Sequence, residues 1–258
     1  MTSGRALSFG AIAQAYEQFR PGYPQELFDT VAAYAGRPPR TALEIGAGTG
    51  KATRLFAGRG IAVTATEPDE AMLAELRRHV PAGVTTVRAA FEDVRPKGRE
   101  RYDLIYAAAS LHWTDPAGRW SRMAQLLAPG GVFACFGGPV EPADPDLEEA
   151  VRAAGAPVLE SARAPSPDGT PSGCGMEWPG TELRQCEHFA DVQQALIPRH
   201  LTMTAADYLG HLSTVSAYLV LADADRAQVF RDIARVLPDT VEVTADITVH
   251  LARRAGPS

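Results

Sequence analysis

Apolar residues recur with two different periods along the chain, and each switch between periods marks an element. Residues 24–36, PQELFDTVAAYAG, place Leu27, Phe28, Val31, Tyr34 and Ala35 on one helical face. Pro24 suits the first turn of that helix and Gly36 its exit. TALEI at 41–45 is a short buried strand, and a helix over 51–58 follows a glycine turn. IAVTAT at 61–66 is a second β-rich run. In DEAMLAELRRH, 69–79, Asp69 opens a helix with Met72, Leu73 and Leu76 inward and basic residues in its last turn. VTTVR at 84–88 and YDLIYAA at 102–108 read as further strands. Trp120, Met123 and Leu127 give the next helix its face, PGG ends it, and GVFACF at 131–136 is a fifth strand. Such alternation predicts an α/β fold, a parallel sheet with helices on both faces.

The rhythm changes at 165–180, PSPDGTPSGCGMEWPG, whose prolines and glycines exclude regular structure. A loop this long inside a compact domain is functional or mobile. Beyond it the pattern predicts a strand near 190–198, helices near 204–216 and 223–236, and a last strand within TVEVTADITVHLARR. The alternation in VEVTADITVHL suits an antiparallel strand with two different faces.

Composition removes several function classes. A net charge of −6 is the wrong sign for a nucleic-acid binder, which needs a basic surface to displace counterions. No apolar run approaches the roughly 18 to 20 residues of a spanning helix. The N-terminal stretch meets Gln14 and Glu17 too early for a signal peptide, so a cytoplasmic location is expected. Cys135, Cys174 and Cys186 form no short pairing motif, and a metal site from Cys174, Cys186 and His188 lacks the close ligand pairs of structural zinc. Reduced thiols and no metal are expected. Lys51 and Lys97 are the only lysines beside 23 arginines, a codon bias that points to a GC-rich bacterial genome.

The chemistry sits in EIGAGTGKAT, 44–53. A dinucleotide site needs G-x-G-x-x-G, whose third glycine lets helix and strand pack closely. Here Gly46, Gly48 and Gly50 give G-x-G-x-G, with Lys51 in the third glycine's place. The phosphate loop of NTPases fails as well, because Ala52 follows Lys51 where Ser or Thr is required. Glu67 follows the second strand, 17 residues past Gly50, where a carboxylate can accept both hydroxyls of a ribose. Glu44, before the turn, can help hold a cationic amino group, and Phe91-Glu92-Asp93 after the third strand can face an adenine edge. An adenosine with a cationic, amino-acid-like tail is S-adenosylmethionine.

On these motifs the chain resembles the class I S-adenosylmethionine-dependent methyltransferases. LEIGAGTGKAT is similar to their first motif and TATEPDEAML to their second; RAAFEDV, YDLIYAAASLHWTDP and LAPGGVFACF follow in the family's order. FGAIAQAYEQFRPGYP and ASLHWTD resemble the methyltransferase type 11 group that includes the trans-aconitate methyltransferases. The resemblance implies a Rossmann-like, seven-stranded, mostly parallel sheet with an antiparallel last strand. It also implies one domain over 1–258: a helical lid at 1–36, a cofactor core at 37–140, and a helical cap with the last two strands at 141–258. By position, Gly46, Ala47 and Gly48 would lie under the methionyl and ribose parts, and Glu67 would hold the ribose. Pro68 and Met72 would pack near the adenine, with Phe91 and Glu92 at its edge. The backbone of Ala107 would meet the methionine amino group, and Tyr16 and Arg20 would close over the cofactor. Relatives often carry a polar residue where this chain has Ala109, so a more apolar acceptor side is implied.

The acceptor site is expected between the strand ends and the cap, lined by Tyr23, Trp113, Trp178, His211 and Tyr218. His112 has two readings, a proton acceptor or a wall fixed against Trp113. In-line methyl transfer draws about 7 to 11 kcal/mol from alignment, against the 10²- to 10⁴-fold that a general base typically adds. The expected partner is a small-molecule methyl acceptor, in bacterial secondary metabolism, for a monomer or homodimer that binds neither nucleic acid nor membrane. Two other readings stay open: a non-methylating enzyme that uses the cofactor as a fixed charge, and a non-catalytic cofactor-binding protein.

Overall fold

In the computed structural model, residues 12–95, 101–159, 167–170 and 175–256 are described. Cys174, Lys97 and the start of the N-terminal motif fall outside them. The main sheet contains β1 (Thr41–Ile45), β2 (Ala62–Thr66), β3 (Thr85–Val87), β4 (Tyr102–Ala108), β5 (Leu127–Gly137), β7 (Phe189–Ile197) and β10 (Ile247–Arg254). Their order is β3-β2-β1-β4-β5-β10-β7. β1 runs parallel to β2 and β4, with Leu43 opposite Thr64 and Ile105, while β10 is antiparallel to both β5 and β7. This is the expected Rossmann-like sheet with its antiparallel last strand.

Both faces of the central strands are covered, which is why TALEI and YDLIYAA read as near-continuous apolar runs. On one side Ala42, Leu104 and Tyr106 pack with Leu27, Val31 and Phe56, from α2 (Gln25–Ala35) and α3 (Lys51–Ala57). Phe56 and Tyr106 stack at 4.4 Å. On the other side Leu43, Ile45, Ile105 and Phe133 meet Met123 of α5 (Arg119–Leu126). Between them in sequence, α4 (Glu70–His79) is capped by Asp69, whose side chain accepts from the Ala71 and Met72 N–H groups. The strand order reverses between β1 and β4, so a crevice opens at their carboxyl ends.

From Leu127 onward the structure departs from the sequence reading in several places. Helix α6 (Pro145–Leu159) was not foreseen, because its Leu147, Val151 and Ala154 serve a separate core built with α10 (Asp223–Val236). TVEVTADITVHLARR is not one strand. It breaks at Ala245–Asp246, and β9 (Thr240–Thr244) joins β6 (Glu141–Pro142) and β8 (His200–Thr204) in a second sheet, order β6-β9-β8. The break is pinned by Arg199, whose N–H donates to Asp246 Oδ1 and whose carbonyl accepts from Ala245 N–H, both at 2.8 Å. The helix expected over 204–216 is two, α8 (Ala205–Leu212) and α9 (Ser216–Leu219), because the Thr214 hydroxyl turns back to the His211 carbonyl at 2.7 Å. Leu127 starts β5 instead of ending α5 and pairs with Tyr102. Among the described residues no helix is long and apolar enough to cross a membrane.

Candidate active site

The glycine turn follows β1 and its geometry depends on glycine. Gly46, Gly48 and Gly50 all have positive φ, at 62°, 56° and 89°. A Cβ on Gly46 would come within 2.8 Å of Ser110 Cβ, whereas a Cβ on Gly48 would meet nothing within 4 Å. The turn therefore packs tightly behind Gly46 and stays bare at Gly48, where a ligand can approach the backbone.

Glu67 leaves the end of β2 and is fixed by that turn. Its Oε2 accepts from Gly48 N–H at 2.8 Å and its Oε1 from Asp69 N–H at 2.9 Å. Burial raises its pKa, and these two donors oppose the rise. Glu44 sits deeper, fully enclosed. Its Oε2 accepts from the Thr53 hydroxyl at 2.5 Å and the Tyr106 hydroxyl at 2.9 Å, while Oε1 has no partner among the described residues. Burial pushes the Glu44 carboxyl up to about 8. Phe91 and Glu92 stand on a 3₁₀ turn after β3, and Glu92 Oε1 accepts from Asp115 N–H at 2.7 Å.

Glu67, Phe91 and Glu92 face a cavity of about 400 Å³. Gly46, Gly48, Glu67, Pro68, Met72, Phe91 and Glu92 line one side of it, and Tyr16, Arg20, His112 and Trp113 line the other. A smaller cavity of about 90 Å³ adjoins it and shares Tyr16, Arg20, Gly46 and Gly48. Its own walls include Tyr23, Glu44, Ala47, Arg199, His211 and Asp246. Ala108 and Ala109 lie between the two, and Ala109 holds φ 52°, a strained value for a side-chain-bearing residue and one typical of ligand sites. Ala107 itself is buried in β4 and lines neither cavity.

Two residues expected at the acceptor site are elsewhere. Trp178 packs on the Phe133 side of the sheet, with the Arg119 guanidinium 5.5 Å over its ring. Tyr218 sits edge-on to Phe230 at 5.3 Å inside the cap core. Neither lines either cavity. Both aromatics are consumed by packing that their loop and helix neighbours could not supply alone. His112 stands exposed at the rim of the larger cavity, 4.5 Å from the Trp113 ring. The protein crowding one side of its ring and the nearby Arg119 charge lower its pKa.

Sequence reasoning missed the fastening of the first helix, α1 (Ala13–Phe19). Lys51 Nζ donates to the Glu17 carbonyl at 2.6 Å, and Arg54 Nη2 lies 2.7 Å from Glu17 Oε1. On the cap side Arg20 Nε donates to the Thr214 hydroxyl at 2.8 Å and Nη2 to the Thr214 carbonyl at 3.1 Å. So α1 bridges core and cap above both cavities. Lys51 and Arg54, three apart on one helical face, were the available signal. Glu17→Ala is expected to loosen this latch and speed ligand dissociation by about tenfold, since breaking a partly buried pair strands two cations. Stopped-flow release of a fluorescent adenosine analogue checks it.

Residues 43–135, which hold the glycine turn, Glu67 and His112, match the methyltransferase domain family. The match covers 93 of the 258 residues. An uncharacterized methyltransferase of Mycobacterium tuberculosis is 39% identical over 126 residues, 49% of this chain and 50% of the relative. A trans-aconitate 2-methyltransferase of Acidovorax is 34% identical over 122 residues, 46% of each chain. This chain thus spans about half the length of the curated relatives it matches. A proposed type II methyltransferase structure from Anaeromyxobacter dehalogenans aligns over 93% of this chain and 100% of that one, with 25% identity and a TM-score of 0.66. The matched residues include Glu44 through Trp113 but not Tyr16, Arg20, Arg199 and His211, which line the same crevice from outside the matched stretch.

Proposed function

We propose that the protein is an S-adenosylmethionine-dependent methyltransferase acting on a small molecule. One observation carries the reading: Glu67 is presented into the larger cavity on two backbone N–H groups beside a bare Gly48, and Glu44, with an orphaned oxygen, lines the adjoining smaller cavity. A fixed carboxylate, an open glycine backbone and a buried oxygen in need of a donor fit a ribose diol joined to a cationic amino-acid tail. Glu67 would hold the ribose, Met72 and Phe91 the adenine, Glu44 the ammonium side and Arg20 the carboxylate. The cofactor supplies an activated methyl group on a sulfonium. The protein's part is to align the acceptor and exclude water, and α1 lying over both cavities serves the second task.

The enclosed volume favours a small acceptor over a macromolecule, in keeping with the trans-aconitate methylation named for the Acidovorax relative. The bacterial relatives agree with the arginine-rich composition, and a role in secondary metabolism is the setting proposed. His112, at the rim and with a lowered pKa, stays neutral near pH 7 and is available as a proton acceptor. Calorimetry with S-adenosylhomocysteine should give binding, and a methyl-labelled cofactor should transfer label to some member of a panel of hydroxy, carboxy and amino compounds. Binding without transfer to any class, with the cofactor still required for another reaction, would overturn the methyltransferase reading.

A further inference from the structure

Three buried polar atoms without partners surround the smaller cavity. Among the described residues, Glu44 Oε1, Thr49 Oγ1 and His211 Nδ1 make no hydrogen bond, and all three residues line this space. Each such atom is costly, so three around one cavity imply a polar occupant. Glu44 and Thr49 come from β1 and the glycine turn. His211 comes from the cap, on the inner face of α8, and is 2% exposed. Its ring lies nearly parallel to that of Tyr208, centroids 6.4 Å apart. Burial and the Arg20 charge push the imidazole down to about 3, so it stays neutral and carries one N–H.

We propose that His211, together with Arg20, holds the carboxylate of the cofactor's amino-acid tail and so ties the cap to the methyl donor. This rests on the methyltransferase reading. The tail is a zwitterion, and the walls of the cavity sort its two ends. Glu44 suits the ammonium, because its orphaned oxygen, once ionised, is satisfied only by a donor. His211 stands beside the Arg20 guanidinium, close enough to feel its charge. A second cation there is repelled, whereas an anion is drawn to Arg20 and accepts the imidazole N–H. Asp246, the other carboxylate on this wall, already accepts from the Arg199 N–H at 2.8 Å. Arg20 and His211 also belong to one hydrogen-bonded chain. Arg20 Nε donates to the Thr214 hydroxyl at 2.8 Å, and that hydroxyl donates to the His211 carbonyl at 2.7 Å. Lid and cap therefore meet at the carboxylate, and His211, expected at the acceptor site, serves the donor.

Calorimetry with three ligands tests the assignment: S-adenosylhomocysteine, its analogue lacking the carboxylate, and its analogue lacking the amino group. His211→Leu fills the same space without the N–H. It should weaken S-adenosylhomocysteine and the deaminated analogue about tenfold and leave the decarboxylated analogue unchanged. His211→Asn, whose amide nitrogen can stand where Nδ1 does, should recover most of that loss. Equal weakening of all three ligands, or of none, overturns the proposal, since a merely structural role does not discriminate among them. Loss confined to the two ligands that keep the amino group gives His211 to the ammonium and overturns it as well. If none of the three binds the wild-type protein, the cofactor reading itself falls, and the assignment of His211 with it.

Discussion

Glu67→Ala is expected to lower affinity for S-adenosylhomocysteine by about 100- to 1000-fold, the loss of two hydrogen bonds to a charged acceptor. The carboxylate is an economical target because its position is already fixed before any ligand arrives. Gly48 N–H and Asp69 N–H each take one oxygen, which leaves the remaining lone pairs directed toward the cavity. Removing it also strips two backbone donors of their acceptor, so some loss of stability is expected, and the variant's folding must be measured beside its binding. Glu67→Gln separates the two effects. Its amide oxygen satisfies one N–H, but its NH₂ opposes the other, so it should bind the ligand weakly while keeping a cooperative melt. If Glu67→Ala binds S-adenosylhomocysteine as tightly as wild type by calorimetry, the ribose assignment is wrong.

How much of this was legible in the sequence follows from what each signal depends on. The first five strands were readable because both faces of a parallel sheet are covered, and apolar runs such as TALEI leave no other choice. The glycine turn was readable because positive φ restricts the residue type, and Gly46 adds a steric reason in Ser110. The cap was not. Leu147 and Val151 of α6 form an ordinary amphipathic stripe whose partner, α10, lies some seventy residues on, and no local period announces that pairing. Trp178 illustrates the same limit from the other side. A tryptophan in a proline- and glycine-rich loop invites a ligand, yet the ring found Arg119 and the Phe133 layer instead. Tyr23 and His211, expected at the acceptor site, line the smaller cavity, while the parts played by Glu17, Arg199 and Asp246 went unnoticed. Their contribution is to hold other groups in place, and a single sequence does not show which groups those are.

The pH dependence of stability should change most on replacing Glu44. In the folded protein this carboxyl titrates at about 8, against an ordinary value of 4.5, because it is buried. A carboxyl with a raised folded pKa holds an extra proton relative to the unfolded chain between those values. Its contribution is therefore complete below about pH 4.5 and is lost progressively as pH rises through about 8, a total on the order of 4 kcal/mol. Thr53 and Tyr106 both donate to Oε2, so the proton belongs on Oε1, the atom without a partner. Glutamine reproduces that state, its oxygen accepting the two hydroxyls and its NH₂ standing where the protonated oxygen was. Urea unfolding from pH 5 to 9 should show wild type and Glu44→Gln nearly equal at the acid end and the variant more stable by several kcal/mol at the alkaline end, on the order of the shift itself. Parallel curves would mean that Glu44 is ionised throughout. The same proton links stability to binding. A cationic ammonium beside Oε1 favours the carboxylate, so cofactor binding near pH 7 should release a proton, seen as a dependence of the calorimetric heat on the buffer's ionisation enthalpy. Glu44→Gln should abolish that dependence, and a wild-type protein that releases no proton would separate Glu44 from the ammonium.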